Sequence, residues 1–246
     1  MKELLNQAKE DLEISQLLYE NKKYSNALYH FHQSVEKSVK SIGLSIGGIN
    51  SKQLQSDIRH NPIKVFKHLF KYFASNSGGF LNDPDPHLFT KAKGIIDSRT
   101  EEDVIEEVSN MLKSIYDEPK NINEEEYSSP LDAFCSYVNK VLPEIDLKLD
   151  SEYNRKQVEL RLGNDIINTI NIINYGTKIL QILLTNSLLC CRFRPDEFRY
   201  SSEKFGNPVD YFNENNPIVK ELEFLISSMS IPVKFGLEIK WGMKSN

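Results

Sequence analysis

The chain has 246 residues, of which 39% are hydrophobic and 26% charged, and its formal net charge is -5. That length buries a substantial core, so folding needs no disulfide or metal staple. Charge is uneven: between Glu101 and Glu126 ten acidic residues stand against two lysines, and the small basic excess elsewhere does not mark a nucleic-acid binder by charge alone.

Taken in chain order, a first amphipathic helix is predicted from Lys2 to Tyr19, with Leu5, Ala8, Leu12 and Leu18 inward. The polar turn Asn21–Tyr24 is short enough to make the next helix an antiparallel neighbour. That second helix, Tyr24–Gly43, has two faces. Leu28, Phe31, Val35, Val39 and Ile42 form an apolar stripe, while Gln33, Glu36, Lys37 and Lys40 project together on another side. A Gly- and Ser-rich loop is expected to Asp57. Asn61-Pro62 signals a helix start, since Asn caps free amides and Pro needs no donor there, and a third helix should run to Ala74 with Ile63, Phe66, Leu69, Phe70 and Phe73 inward. The Gly78–His87 stretch reads as a loop, Leu88–Ile96 as a short helix, and Thr100 as the cap of a helix reaching Tyr116.

Beyond it, residues 117–130 read as an acidic mobile linker or loop. Helices are then expected at Leu131–Leu142 and from Ser151 to Cys191, the latter open to breaks at Gly163 or Gly176. The apolar run Ile166–Cys191 is interrupted by Asn168, Asn171, Asn174, Lys178, Gln181 and Asn186, so it reads as a buried helix and not a membrane span. A polar insertion, Arg192–Pro208, precedes helices at Val209–Asn213, Pro217–Met229 and Pro232–Met243. No alternating strand run or internal repeat is seen. The fold class is all-α: a helical core at 1–116, the linker at 117–130, and a helical region at 131–246 that completes the same bundle or forms a second lobe. Cys190 and Cys191 are adjacent and badly placed to bond each other. With Cys135 they read as reduced thiols, and with a charged N-terminus that has no apolar signal core they predict a cytoplasmic protein.

The opening hairpin, with Gln33, Glu36, Lys37 and Lys40 in the run Gln-x-x-Glu-Lys-x-x-Lys, resembles that of HEPN domains over about residues 7–43. A weaker echo is Arg59-His60-Asn61-Pro62-Ile63-Lys64. The resemblance implies an all-helical bundle that dimerises. Relatives include metal-independent endoribonucleases of toxin–antitoxin and antiphage systems, the abortive-infection AbiV-like group, and non-catalytic members that pair with nucleotidyltransferases or bind nucleotides and RNA. It implies no cofactor and no metal. One departure matters: the nuclease branch spaces its Arg four to six residues before a His, and here the only Arg preceding a histidine is Arg59, adjacent to His60 and with eight residues between it and His68.

Two readings of each candidate therefore stand. At the start of a helix, Arg59, His60, Asn61 and Lys64 suit an anionic phosphate, with Arg59 stabilising charge and His60 moving protons; otherwise they are exposed loop residues. Gln33, Glu36, Lys37 and Lys40 either line the same groove or form a solvated face whose Glu36–Lys40 pair contributes only about 0.3–0.5 kcal/mol. Arg192, Arg194, Arg199 and Lys204 interleave with Phe193, Phe198, Tyr200 and Phe205, as in single-strand binders that stack bases; alternatively these aromatics anchor a loop. Arg199-Tyr200 also echoes a late Arg-Tyr of the family, although Ser201 stands where proline is usual. His30 and His32 are two residues apart and cannot share a helical face, so they make a poor metal pair. No Walker loop, dinucleotide fingerprint or zinc-spaced set appears. The expected partners are a second copy of the chain, RNA or a nucleotide, and an antitoxin or nucleotidyltransferase. An interaction module without catalysis is the alternative function.

Overall fold

The structure, a computed structural model of the full chain, describes residues 2–76, 94–117 and 166–238. It is all-α: the described residues are helical apart from connections and one isolated bridge between Ser202 and Gly206. The described residues up to Ile115 and from Leu180 onward pack as one compact unit, and the described residues between Tyr116 and Ile179 belong to a second. Of the second, the described part is the end of one helix and the first half of another. No described helix is long and apolar enough to cross a membrane.

Helix α1 (Lys2–Glu20) and helix α2 (Tyr24–Ile46) form the hairpin that the sequence predicts. The register is fixed by two reciprocal bonds: Ser15 Oγ donates to the Ala27 carbonyl at 2.8 Å, and Ser34 Oγ donates to the Ala8 carbonyl at 2.7 Å. The paired positions move in opposite senses along the two helices, so the pair is antiparallel. Small residues allow this close approach, and each hydroxyl satisfies itself on a backbone oxygen while buried. The α2 stripe Leu28, Phe31, Val35, Val39 and Ile42 is fully buried. Burying such side chains stabilises by about 1.5–3 kcal/mol each, which makes α2 the axis of this unit.

Helix α2 does not end at Gly43. It runs one turn further to Ile46 and stops at Gly47, whose φ of 81° is the left-handed cap that glycine adopts without penalty. Gly43 serves packing instead: a Cβ there would lie 2.5 Å from Val65 Cγ1 and 2.8 Å from Ile49 Cδ1, both on buried, stiff side chains. Replacing Gly43 with valine is expected to lower stability by about 1–3 kcal/mol, read as a fall in denaturation midpoint at unchanged slope.

The expected loop before Asp57 is also shorter than predicted. Asn50 and Gln53 make a capping box (Gln53 N to Asn50 Oδ1, 3.0 Å; Asn50 N to Gln53 Oε1, 2.8 Å) that starts α3 (Ser51–Gln53), continued by a π-turn at Leu54–Ile58. The turn ends at Arg59 with φ 47° and ψ -113°, a conformation costly for a non-glycine residue. Helix α4 (Ile63–Asn76) follows, burying Val65, Phe66, Leu69 and Ala74, while Ile63, Phe70 and Phe73 are half-buried.

After a helical turn at 94–98, α5 (Glu101–Asp117) begins as expected, its Asp103 amide donating to Thr100 Oγ1 at 3.2 Å. Helix α6 (Ile166–Arg192) passes Gly176 without a break. A 3₁₀ turn (Pro195–Phe198), α7 (Pro208–Tyr211) and α8 (Pro217–Glu238) complete the described chain. Two expected helices are one here: Pro232 lies inside α8, buried, about four turns from its start. The predicted loop at Gly78–His87, the linker at 117–130 apart from Asp117, the helix at Leu131–Leu142, Gly163 and Cys135 lie outside the described residues.

The segment Arg192–Pro208 is not a polar insertion. Phe193, Phe198 and Phe205 are buried with Phe212, their ring centroids 5.1–6.4 Å apart. Three of the four aromatics proposed to interleave with cations thus form a local core, where they exclude water from the end of α6.

Candidate functional site

The polar face of α2, the turn from Asp57 to Lys64 and the segment from Cys190 to Tyr200 enclose a groove of about 740 Å³. Of the residues singled out in the sequence, it brings together Gln33, Arg59, His60, Asn61, Lys64, Arg194, Arg199 and Tyr200. Arg59 enters because the π-turn ends there in its positive-φ conformation, and His60 and Asn61 then bridge to α4. Asn61 Oδ1 receives the Cys191 thiol at 3.8 Å, linking this turn to α6, so its side chain is turned to the groove floor and not to a helix cap.

Beside this floor, Glu36 is buried, its side chain 5% exposed, and Lys40 Nζ donates to its Oε1 at 2.5 Å. His60 Nδ1 stands 3.3 Å from the same oxygen, with the imidazole largely exposed on the groove side. Oε2 of Glu36 has no hydrogen-bond partner among the described residues. A buried carboxylate oxygen left so is expensive, and such departures concentrate at working sites. The Glu36–Lys40 pair is therefore not a solvated face. It is a buried pair that holds a carboxylate against an exposed histidine.

The groove cations are not equivalent. Lys64 Nζ bonds Asp57 Oδ1 (3.1 Å) and the Asp57 carbonyl (2.7 Å), and His68 Nε2 donates to Asp57 Oδ2 at 2.8 Å. The hydrogen bond from His68, then that from Lys64, holds the Asp57 carboxyl below its ordinary range. Arg194 is engaged by Asp196 through both Nε (3.2 Å) and Nη2 (2.7 Å). Among the described residues no carboxylate pairs with Arg59 or Arg199. Arg199 instead lies over the Tyr29 ring at 5.0 Å and the Tyr200 ring at 5.4 Å.

The family model of the HEPN domain matches residues 1–69. This N-terminal stretch is similar to HEPN domains. No curated protein and no solved structure matches the chain. The matched stretch runs from α1 into α4 and so supplies Tyr29, Gln33 and the wall from Asp57 to Lys64. The wall from Cys190 to Tyr200 comes from outside it, tied on by Ser25 of α2, whose Oγ donates to the Phe198 carbonyl.

Four of the sequence candidates do not line the groove: Glu36 and Lys40 lie beside its floor, and Lys37 and Arg192 lead elsewhere. Lys37, on the α1–α2 hairpin, turns back to α1, where Asp11 accepts from Lys37 Nζ at 2.5 Å and lies 2.9 Å from His30 Nδ1. Arg192 ends α6 facing Glu101 (3.4 Å), which also takes Lys204 (3.2 Å) and the Tyr211 hydroxyl (2.8 Å). Burial, followed by that bond to Glu101, pushes the Tyr211 phenol far above its ordinary range. Glu101 thus clamps the end of α6 and the segment after it to the start of α5.

Tyr29 and Asp57 line the groove without having been singled out. Tyr29 was within reach of helical spacing, since it stands four residues before Gln33 and seven before Glu36 on the same side of α2. Asp57 has no such signal, because its partners Lys64 and His68 lie across a turn. Cys190, at the groove edge, is buried, and burial raises its thiol well above the ordinary value, so it stays protonated and is no nucleophile.

His32 lies beneath this floor, its Nε2 3.3 Å from the Cys190 carbonyl. Burial lowers its pKa below the ordinary 6.5, against an opposing pull from Glu36. The unfolded chain takes up this proton near 6.5 while the folded protein refuses it, so the stabilisation is complete above that pH and is lost as pH falls through the lowered folded value. A denaturation midpoint that declines between about pH 7.5 and 5.5, and declines less in His32→Gln, is the expected result.

Proposed function

We propose that the protein is a HEPN-type RNA-interacting protein that cuts an RNA strand without a metal ion, using Arg59 and His60 at the scissile phosphate. The observation that carries this is the exposed His60 imidazole held with Nδ1 3.3 Å from buried Glu36, on the edge of a groove containing Arg59. A carboxylate at Nδ1 orients the ring and offsets the charge it gains, which leaves Nε2 to exchange a proton with the substrate. In the reaction the 2′-oxygen bonds phosphorus as the 5′-oxygen leaves, the 2′-hydroxyl giving up one proton and the 5′-oxygen gaining one. His60 serves in these transfers. Arg59 neutralises the phosphorane oxygens, while Gln33, Asn61, Lys64 and Arg194 line the strand's path and Lys40 holds Glu36 in place. Lys37 and Arg192 act indirectly, bracing the hairpin and the end of α6.

The family supports a homodimer, and the exposed Ile14 and Leu17, one turn apart on α1, offer an apolar patch outside the groove. The biological setting proposed is cytoplasmic, in an abortive-infection, antiphage or toxin–antitoxin system. The test is digestion of mixed cellular RNA in chelator by wild type and by Arg59→Ala/His60→Ala, with mapping of the fragment ends. Cutting by wild type alone supports the assignment. No cutting by either folded protein would favour the second reading, a non-catalytic module holding an antitoxin or nucleotidyltransferase, for which the unusual Arg59-His60 adjacency already speaks.

A further inference from the structure

We infer that the groove takes an unpaired nucleotide of a single RNA strand, with its base stacked on Tyr200, and that duplex RNA is a poor partner. This rests on the RNA-binding part of the function proposed for the groove.

Among the aromatics between Arg192 and Pro208, Phe193, Phe198 and Phe205 are sealed in the local core, whereas Tyr200 is 61% exposed and lines the groove. An exposed ring at a groove edge is ordinarily mobile. This one is held, because the Arg199 guanidinium lies over it at 5.4 Å and over Tyr29 at 5.0 Å, and Tyr29 is anchored on α2. The result is a Tyr–Arg–Tyr platform with a π-face available to a ligand. Ordering such a platform before binding lessens the entropy lost on binding.

The charge pattern selects the same ligand. Arg59 and Arg199 have no carboxylate partner among the described residues, but Asp57 and Asp196 also line the groove and engage Lys64 and Arg194. A site able to neutralise few phosphates, and carrying two carboxylates, disfavours the dense charge of a duplex. A single strand presents fewer phosphates and can turn a base outward, as paired bases cannot. The groove volume of about 740 Å³ lies within the range of sites that enclose one small ligand, and suits a nucleotide better than two paired strands.

The test is fluorescence anisotropy with a labelled, 2′-O-methylated single strand that cannot be cut. Beside it stand an abasic strand of equal length, the corresponding duplex, and adenosine monophosphate as competitor. Wild type is expected to bind the base-bearing strand most tightly. Tyr200→Ala should weaken that affinity about tenfold and leave abasic binding unmoved, whereas Tyr200→Phe, which keeps the ring, should bind as wild type does. Tyr200→Ala binding the base-bearing strand as wild type does, or losing equally on the abasic strand, would sink the stacking role while RNA binding stands. Competition by adenosine monophosphate at the strand's own concentration would reassign the platform to a free nucleotide and overturn the strand assignment. If wild type bound no strand at all, the RNA reading would fail, and this inference with it.

Discussion

His60→Ala is expected to slow RNA cutting by about 10²–10⁴-fold, the usual contribution of one positioned acid–base group, with the protein still folded by circular dichroism. The side chain is largely exposed and packs against little, so its removal has small effect on stability. Added imidazole should restore part of the rate to His60→Ala, because a small diffusing base can occupy the vacated space, and it should restore nothing to Arg59→Ala. Glu36→Gln keeps the shape of the buried side chain but removes the charge at His60 Nδ1. It is expected to lower the maximal rate and displace its pH profile with little change in strand affinity, a pattern that a purely structural role for Glu36 would not give. An unaltered profile in Glu36→Gln would remove it from the mechanism, and wild-type cutting by His60→Ala would remove the histidine.

What could be read from the chain follows from the range of the interactions involved. The α1–α2 hairpin was legible because its apolar and polar residues repeat with the helix itself, so Leu28, Phe31, Val35 and Val39 declare a buried side from their spacing alone. The site was partly legible for the same reason: Gln33 and Glu36 share a side of α2, and Arg59, His60, Asn61 and Lys64 are close in sequence. Single residues with two local meanings were misread. Gly43 looks like a helix stop but is a contact point for Val65, and Pro232 looks like a start but lies inside α8, because packing against neighbours outweighs the local preference of one residue. The fates of Lys37 and Arg192 depended on Asp11 and Glu101, which lie far along the chain and share no spacing rule with them. Local pattern cannot select between a cation that faces solvent and one that meets such a partner.

Phe193→Ala is expected to destabilise the folded protein by about 3–5 kcal/mol, the largest effect anticipated from any single truncation in the groove's second wall. Phe193 is 1% exposed, and its ring centroid lies 6.3 Å from Phe198 and 6.4 Å from both Phe205 and Phe212. Around it Phe198 meets Phe212 at 5.1 Å and Phe205 meets Tyr211 at 4.6 Å, while the Tyr211 hydroxyl reaches Glu101. Truncating the shared ring leaves a cavity that its rigid aromatic neighbours cannot close by small shifts, which puts the loss at the upper end for a core residue. Because Arg194, Arg199 and Tyr200 hang on this cluster, the variant should also lose strand affinity under conditions where most of it remains folded. Phe193→Leu, which retains much of the volume, is expected to lose only about 1.5 kcal/mol and to keep its affinity within a few-fold. Urea denaturation of both variants, paired with strand binding well below the transition, separates the outcomes. A Phe193→Ala protein that keeps wild-type affinity while losing the stability would mean that the groove wall is held by Ser25 and Glu101 without help from the aromatic core.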